Sequence, residues 1–184
     1  NWANVQQVAK VAQNMGLEMV SGHAGFLPTT KDDPNIDKLA TRLTQVANCF
    51  ADHGLTLIFE TGQETADTLN QFLDALATRN ATNVGINFDP ANMLLYNMGD
   101  PVESVLKVGK RVKQIHIKDG VRAQVPGTWG SEVAVGEGQV DWPAFIKALE
   151  QINYNDHLVI EREAGDQRLA DIHTAAMHIS SLLG

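Results

Sequence analysis

The sequence has very little cysteine and no long apolar run. Its single cysteine, Cys49, has no partner for an internal disulfide. Such sparse cysteine is typical of proteins in a reducing compartment, so we predict a cytoplasmic location. No stretch reaches the roughly 18 to 20 apolar residues that a membrane-crossing helix needs. The sequence therefore argues against a disulfide-stabilised scaffold, and we expect no membrane association.

Positive charge is also scarce. The 14 Lys and Arg residues are outnumbered by 22 Asp and Glu residues, which gives a net charge of -8. A protein held to nucleic acid or anionic lipid by its overall field needs a basic surface, so we expect neither partner. The 184 residues are 43% hydrophobic, which is typical of one ordinary globular domain covering residues 1–184.

Short β-branched runs alternate with longer helical patterns along the chain. The predicted strands are 17–23, 55–60, 84–89, 112–119 and 157–161. The predicted helices lie near 2–15, 35–52, 65–79, 101–109, 141–152 and 168–183. A repeated βα unit implies an α/β fold of parallel strands with helical crossovers, either an open doubly wound sheet or part of a (β/α)8 barrel.

One loop, residues 120–140, is long and has no predicted element of its own. Loops of this size in compact domains are usually functional or disordered. Val125, Trp129 and Val133 are candidate anchors for an ordered flap. The "GEG" at 136–138 does not follow a strand and matches neither nucleotide-binding fingerprint, so we predict a turn there rather than a phosphate site.

Every predicted strand has, at or near its end, a residue that can bind a metal or carry a proton: His23, Glu60, Asp89, His116 and Glu161. Each has an ordinary structural explanation; Asp89 before Pro90, for example, can cap a helix. However, ligands of parallel βα proteins bind where the strands' carboxyl ends converge. Four consecutive strands ending in Glu, Asp, His and Glu make a shared site a better hypothesis than four unrelated explanations.

Three converging carboxylates repel one another and call for a cation among them. Oxygen-rich ligation with one imidazole suits a single divalent ion, Mn2+ or Mg2+, with Co2+ or Zn2+ as alternatives. Such an ion polarises a carbonyl and acidifies the adjacent C–H, while a carboxylate oxygen takes the proton. The pattern therefore predicts proton abstraction next to a carbonyl.

Six motifs run in order across almost the whole chain: "HAGFLP" (23–28), "ETGQE" (60–64), "NFDPANM" (87–93), "HIKD" (116–119), "GEGQVDW" (136–142) and "IEREAG" (160–165). With these motifs the sequence resembles the xylose-isomerase-like TIM-barrel superfamily. The resemblance is to sugar epimerases and isomerases related to ketose 3-epimerases and hydroxypyruvate isomerase. It implies a small carbohydrate substrate.

The resemblance implies roles for individual residues. The metal ligands would be Glu60, Asp89, His116 and Glu161. The two glutamates of this set would also be the catalytic acid/base pair. Glu163 lies on the same face as Glu161 and competes for its role, but Glu161 is preferred because it directly ends the apolar run.

Four further residues are expected to bind substrate: His23, Asn92, Arg122 and Lys118. Arg122 matches an arginine that contacts substrate oxygens in ketose epimerases. Asn92 stands where those enzymes commonly carry a histidine, and an amide can bond a hydroxyl but is a far weaker proton donor. Substrate preference is therefore expected to differ from theirs.

A complete barrel takes about 250 residues, and this chain supplies about five of eight βα units. The resemblance implies that 17–23 is the fourth strand. We expect a C-terminal fragment, inactive alone, or a barrel completed by another chain, with a homo-oligomer as an option.

The predicted activity is that of a sugar isomerase or epimerase. The alternatives are a dehydratase or lyase on the same scaffold and a non-catalytic sugar-binding module. An endonuclease-IV-like enzyme is disfavoured because it needs several zinc ions and many His ligands, whereas only His23 and His116 of the six His sit at strand ends.

Overall fold

The computed structural model describes residues 1–28, 33–125 and 127–184, so residue 126 of the long loop lies outside the described part. Strands and helices alternate there as predicted. The strands are β1 (Met19–Gly22), β2 (Thr56–Glu60), β3 (Val84–Phe88), β4 (Val112–Ile117), β5 (Asp119–Val121), β6 (Ser131–Val133) and β7 (His157–Ile160). The helices are α1 (Trp2–Asn14), α2 (Pro34–Ala51), α3 (Ala66–Ala77), α4 (Pro90–Leu95), α5 (Pro101–Val108), α6 (Trp142–Gln151) and α7 (Arg168–Leu183), with a 3-10 turn at Gly109–Arg111.

Five of the strands form one parallel sheet in the order β1-β2-β3-β4-β7. Each strand pairs with the next strand of the βα series, with no reversal of order of the kind that defines a doubly wound sheet. The sheet is therefore a half-barrel, and the prediction of a partial TIM barrel is confirmed.

Successive residues of these strands point to opposite faces of the sheet. Phe59 and Phe88 point outward, where Phe59 meets Phe72 of α3 with ring centroids 6.3 Å apart and Phe88 stacks on Phe145 of α6 at 5.8 Å. The outer face is thus the apolar core between sheet and helices. The inner face carries polar residues, and these lie at the carboxyl ends of the strands.

Aspartate begins four of the helices, each with proline in the first turn. Asp89 caps α4, a helix of six residues that the sequence analysis did not predict. In the described part of the chain, no helix combines the length and the apolar content that crossing a bilayer requires.

The expectation that 120–140 has no element of its own is wrong. Its start and its middle form an antiparallel hairpin in which β5 pairs with β6. The carboxylate of Asp119 organises the rest by accepting hydrogen bonds from the backbone N–H groups of Gly136, Gly138 and Val140 and from Nε1 of Trp142. A Cβ at Gly138 would lie 2.0 Å from Oδ1 of Asp119, so only glycine fits there.

The bonds to Asp119 occupy the N–H groups of the "GEG" turn that a phosphate would need. The predicted anchors Val125 and Trp129 do not pack inside the molecule; they are 61% and 66% exposed. The loop is held instead by Asp119 and by the backbone bond from Gly130 to Leu95 of α4, at 2.8 Å.

Candidate metal centre

The sheet brings four of the predicted residues together at its carboxyl edge. Glu60 ends β2, Asp89 follows β3, His116 lies near the end of β4, and Glu161 follows β7. One ligand atom from each lies within 4.8 Å of the others. The strand register accounts for this, because all four strands run parallel and end at the same level.

Nδ1 of His116 faces a carboxylate oxygen of each of the three acids. It lies 3.1 Å from Oε2 of Glu161, 3.5 Å from Oδ2 of Asp89 and 3.6 Å from Oε1 of Glu60. Ligand atoms around an ion with bonds of about 2.1 Å lie about 3.0 to 4.2 Å apart, and these three distances fall in that range.

Two of these atoms also need a partner. Within the described residues, Oδ2 of Asp89 and Nδ1 of His116 are buried and make no hydrogen bond. Buried polar atoms are normally paired, because an unpaired one loses its hydration without compensation. A divalent cation among the four side chains would satisfy both, so the donor set fits the predicted ion.

Asp89 has two structural roles at once. Its Oδ1 accepts a hydrogen bond from the backbone N–H of Asn92 at 3.0 Å and caps α4, while Oδ2 is left facing His116. Its backbone N–H donates to Oγ1 of Thr61 at 2.8 Å, which fixes the carboxylate relative to β2. The capping and ligand interpretations of this residue are therefore compatible.

Asn87, which the sequence analysis did not assign to the site, orients the His116 ring. Its side-chain amide lies 2.9 Å from Nε2 of His116 and 3.2 Å from Oγ of Ser21 on β1. An amide can present its oxygen or its nitrogen to an imidazole, so it supports either tautomer. The sequence did contain a signal for this role: Asn87 is a polar residue on a buried strand, two positions before Asp89, and therefore points to the same inner face.

The protein holds the two glutamates in different electrostatic environments. Burial raises the pKa of Glu60 above its usual range. The His116 imidazole, whose Nδ1 lies 3.1 Å from Oε2 of Glu161, together with Lys118, lowers the pKa of Glu161 to about 2. Burial alone would lower the pKa of His116, but the carboxylates of Asp89 and Glu161 raise it to about 10.

Lys118 lies beside the cluster and is 3% exposed. Its Nζ donates to Oε2 of Glu161 at 2.9 Å and to Oε2 of Glu163 at 2.7 Å, and it lies 3.6 Å from Oδ2 of Asp89. Glu163 is not among the four clustered residues, and its side chain is 68% exposed. The geometry thus brings Glu161 into the centre and places Glu163 at its rim.

The predicted substrate-binding residues lie at different distances from the cluster. His23 lines a cleft of about 230 Å³ next to Glu60, with its Nε2 3.7 Å from Oε2 of that residue. Asn92 is buried and donates from Nδ2 to Oε1 of Glu60 at 3.2 Å and to the Thr61 carbonyl at 2.9 Å. Arg122 lies outside this cleft and lines a neighbouring one.

Two other acidic residues at the site were missed. Glu64 is buried in the wall of the first cleft, accepts a hydrogen bond from the Gly62 N–H at 2.8 Å, and has its pKa raised by burial. Glu132 on β6 accepts hydrogen bonds from Arg162 at 2.8 Å and from the backbone N–H of Glu163 at 3.0 Å. It thereby ties the hairpin to the segment that follows Glu161.

Curated proteins with similar sequences include a catabolism protein and a dehydratase. The rhizopine catabolism protein MocC of Rhizobium meliloti is 29% identical over 134 residues, which cover 66% of this chain and 41% of MocC. An inosose dehydratase of Clostridium botulinum (strain Alaska E43) is 28% identical over 144 residues, covering 68% of this chain and 46% of that protein. The matched region thus spans somewhat less than half of these relatives' length.

Solved structures give a consistent fold. A xylose isomerase domain protein from Planctomyces limnophilus superimposes with a TM-score of 0.91 at 36% identity, covering 98% of this chain and 64% of that one. A D-psicose 3-epimerase from Clostridium cellulolyticum H10 gives a TM-score of 0.74 at 15% identity, covering 98% and 70%. A barrel protein from Mycobacterium smegmatis in complex with magnesium gives 0.75 at 19%, covering 98% and 66%. The last two show likeness of fold alone.

A family model described as a xylose isomerase-like TIM barrel matches residues 1–181. That range contains all five strands of the parallel sheet and all four residues of the cluster. This chain belongs to the xylose isomerase-like TIM barrel family.

Proposed function

We propose that the centre binds one divalent metal ion and catalyses isomerisation or epimerisation of a small sugar or keto-sugar derivative. The observation that carries this proposal is the convergence of Glu60, Asp89, His116 and Glu161, in which two buried atoms have no hydrogen-bond partner among the described residues. The oxygen-rich donor set favours Mn2+ or Mg2+, with Co2+ or Zn2+ as alternatives. The magnesium complex of the M. smegmatis barrel supports the choice of a hard cation.

The two glutamates would exchange the substrate proton. When bound, the ion would polarise the substrate carbonyl and acidify the neighbouring C–H. Glu60 and Glu161 would form the acid/base pair, one taking the proton from the substrate carbon and the other returning a proton. In a reversible reaction the roles exchange with direction. Asn92 holds Glu60 in place through its amide.

The other predicted contacts follow from position. His23 is exposed beside Glu60 and would bond a substrate hydroxyl. Lys118 would bind the substrate next to Glu161. Arg122 would contact the part of the substrate that extends beyond the first cleft. We further propose that residues 1–184 belong to one barrel domain of a cytoplasmic protein, which can be homo-oligomeric.

The test uses the full-length protein loaded with Mn2+ and a panel of ketoses and keto acids in deuterated water. We expect deuterium to enter the carbon next to the carbonyl in a product that is otherwise an isomer of the substrate. Glu60→Gln and Glu161→Gln should each lower turnover by at least about 1,000-fold, since each removes a proton-transfer group. Glu163→Gln is the matched control, with turnover within about fivefold of the wild type. Near-normal turnover in both active-site variants would refute the mechanism.

A dehydratase is the second candidate, and the inosose dehydratase relatives favour it. The same base would remove the proton, but a hydroxyl on the next carbon would leave as water. Product mass separates the two reactions, because dehydration removes one water and isomerisation leaves the mass unchanged. A non-catalytic sugar-binding module would instead bind ketoses without any exchange of substrate hydrogen.

A further inference from the structure

Next to the metal centre lies a second cleft of about 480 Å³, within the size range of ligand sites. Gln63 and Tyr96 line both this cleft and the one at Glu60, so they form a shared wall. A ligand held at the metal centre can therefore extend past these two side chains into the second cleft. Arg122 and Trp129 also line the second cleft.

Trp129 is exposed but fixed in position. Its ring meets Tyr96 edge to face, with centroids 5.3 Å apart and planes at 89°. The next residue, Gly130, donates its N–H to the Leu95 carbonyl, and a Cβ on Gly130 would lie 2.1 Å from the Val121 carbonyl oxygen. The indole is thus held beside Tyr96 in the lining of the cleft, while 66% of the residue faces solvent. Such a fixed apolar surface beside a polar cleft is typical of a binding site.

The remaining lining mixes polar and apolar residues and is nearly uncharged. It offers the side-chain amides of Asn97 and Gln124 and the hydroxyl of Thr128. Among the described lining residues, Arg122 is the one charged group, and its guanidinium already donates to Oδ1 of Asn97 at 2.9 Å and to the Gly99 carbonyl at 2.6 Å. With a net charge of -8 on the chain, this lining does not favour a strongly anionic ligand.

An aromatic face flanked by amides and a hydroxyl suits a sugar ring, which presents C–H groups on one face and hydroxyls around its rim. We propose that the second cleft is a subsite for a sugar ring, so that the substrate is a glycosylated ketose rather than a free monosaccharide. This inference rests on the proposed function, because the reacting carbonyl would lie at the metal centre. The subsite would hold the glycosyl group through Trp129.

The kinetic test compares fructose with isomaltulose and turanose, which are fructose units carrying a glucosyl group on different oxygens. The full-length protein loaded with Mn2+ should show a kcat/KM for at least one disaccharide that is about tenfold or more above that for fructose. Trp129→Ala should remove that preference, lowering kcat/KM for the disaccharide by about tenfold or more. Its kcat/KM for fructose should stay within about twofold.

Trp2→Ala is the matched control, because Trp2 is also exposed but lies against α2, away from both clefts. It should leave both kcat/KM values unchanged. The subsite is refuted if fructose is turned over as well as both disaccharides. It is also refuted if Trp129→Ala lowers kcat/KM equally for all sugars, which would indicate a structural role in the loop.

A binding test separates failure of the subsite from failure of the proposed reaction. In a Trp2→Phe background, Trp129 is the one exposed tryptophan, since Trp142 is buried. Titration with isomaltulose or turanose should change its fluorescence at concentrations at which fructose has little effect. If this binding occurs without exchange of substrate hydrogen, the proposed reaction is refuted and the proposed subsite is supported. If neither disaccharide changes the fluorescence, the subsite is refuted whatever the activity.

Discussion

The two faces of the five-stranded sheet differ in what their residues contact. The outer face packs phenylalanines such as Phe59 and Phe88 against the helices, and both are almost fully buried. The inner face presents Glu60, Asn87 and His116 toward one another. Both sets come from the same strands and differ only by one residue of register.

Neighbouring residues on a strand therefore have different roles, one in packing and the other in the candidate site. Outward residues supply the apolar burial that keeps the strands in register, and inward residues use that register to meet at one point. The cost of converging carboxylates on the inner face is offset by packing on the outer one. Variants that alter one face should change one measured quantity and spare the other.

The largest expected effect separates adjacent residues. Phe88→Ala should lower the free energy of unfolding by about 3 to 5 kcal/mol, because Phe88 is fully buried against Phe145. Asp89→Asn should change that energy by no more than about 1 kcal/mol, since asparagine caps helices as well as aspartate. It should nevertheless weaken Mn2+ binding by at least about 100-fold. Urea unfolding and calorimetric titration measure the two quantities, and equal losses of stability in both variants would contradict the division.

The second prediction concerns proton release on the inner face. The pKa of His116, raised to about 10 by Asp89 and Glu161, leaves the imidazole protonated at neutral pH. The ring must lose a proton to bind a metal, so Mn2+ affinity should rise about tenfold per unit between pH 6 and 9. Calorimetry of the chelator-treated protein in buffers of different ionisation enthalpy counts the proton. His116→Gln should bind more weakly and lose this slope; an unchanged slope would assign the proton elsewhere.

Asp119 is an exception to this division between apolar residues that stabilise the fold and polar residues that form the site. It is acidic and buried, but we expect its role to be structural. Asp119→Asn would turn an amide N–H₂ toward N–H donors now bonded to the carboxylate, and should cost at least about 2 kcal/mol in the free energy of unfolding. Mn2+ affinity should change less than threefold. Asp141→Asn, at the cap of α6, is the control and should be nearly neutral. A large loss of metal affinity in Asp119→Asn would place this residue in the centre.

The smallest expected effect is at Glu132. Glu132→Gln keeps one oxygen for the backbone N–H of Glu163, but it removes the charge that pairs with Arg162 and the exposed hydrogen bond that Oε2 accepts from the Ala164 N–H. Arg162 retains its bond to Asp171, so the free energy of unfolding should fall by only about 1 kcal/mol. Turnover should fall a few-fold, because the segment after Glu161 is held less firmly. Thermal unfolding and initial rates measure the two, and an effect as large as that of Asp119→Asn would show that the hairpin depends on this ion pair.

Much of the fold was predictable because it depends on periodicity. The five parallel strands were located from alternation and β-branched runs, with ends that differ from the structure by a few residues, as for β1. The four clustered residues followed from the rule that parallel strands end at one edge. The helix α4 was missed because six residues are too few to show a helical period.

The rest was not visible because it depends on contacts between distant residues. The strands β5 and β6 have three residues each, and their pairing spans a loop. The donors that bind Asp119 are mainly backbone N–H groups, which every sequence offers at every residue other than proline. The positions of Asn92 and Lys118 relative to Glu60 and Glu161 likewise depend on side-chain conformations that spacing does not determine.

Because Asp89 caps α4 with one oxygen and faces the cluster with the other, local opening of that helix and release of a metal ion are coupled. An ion held by Oδ2 would make each fraying of the first turn more costly, so the amide hydrogen of Asn92 should exchange with solvent more slowly once Mn2+ is added. The helix also leads into Tyr96, in the wall between the two clefts. The rate of amide hydrogen exchange in the first turn of α4 would then report two things: whether the metal site is occupied, and how firmly the wall between the two clefts is held.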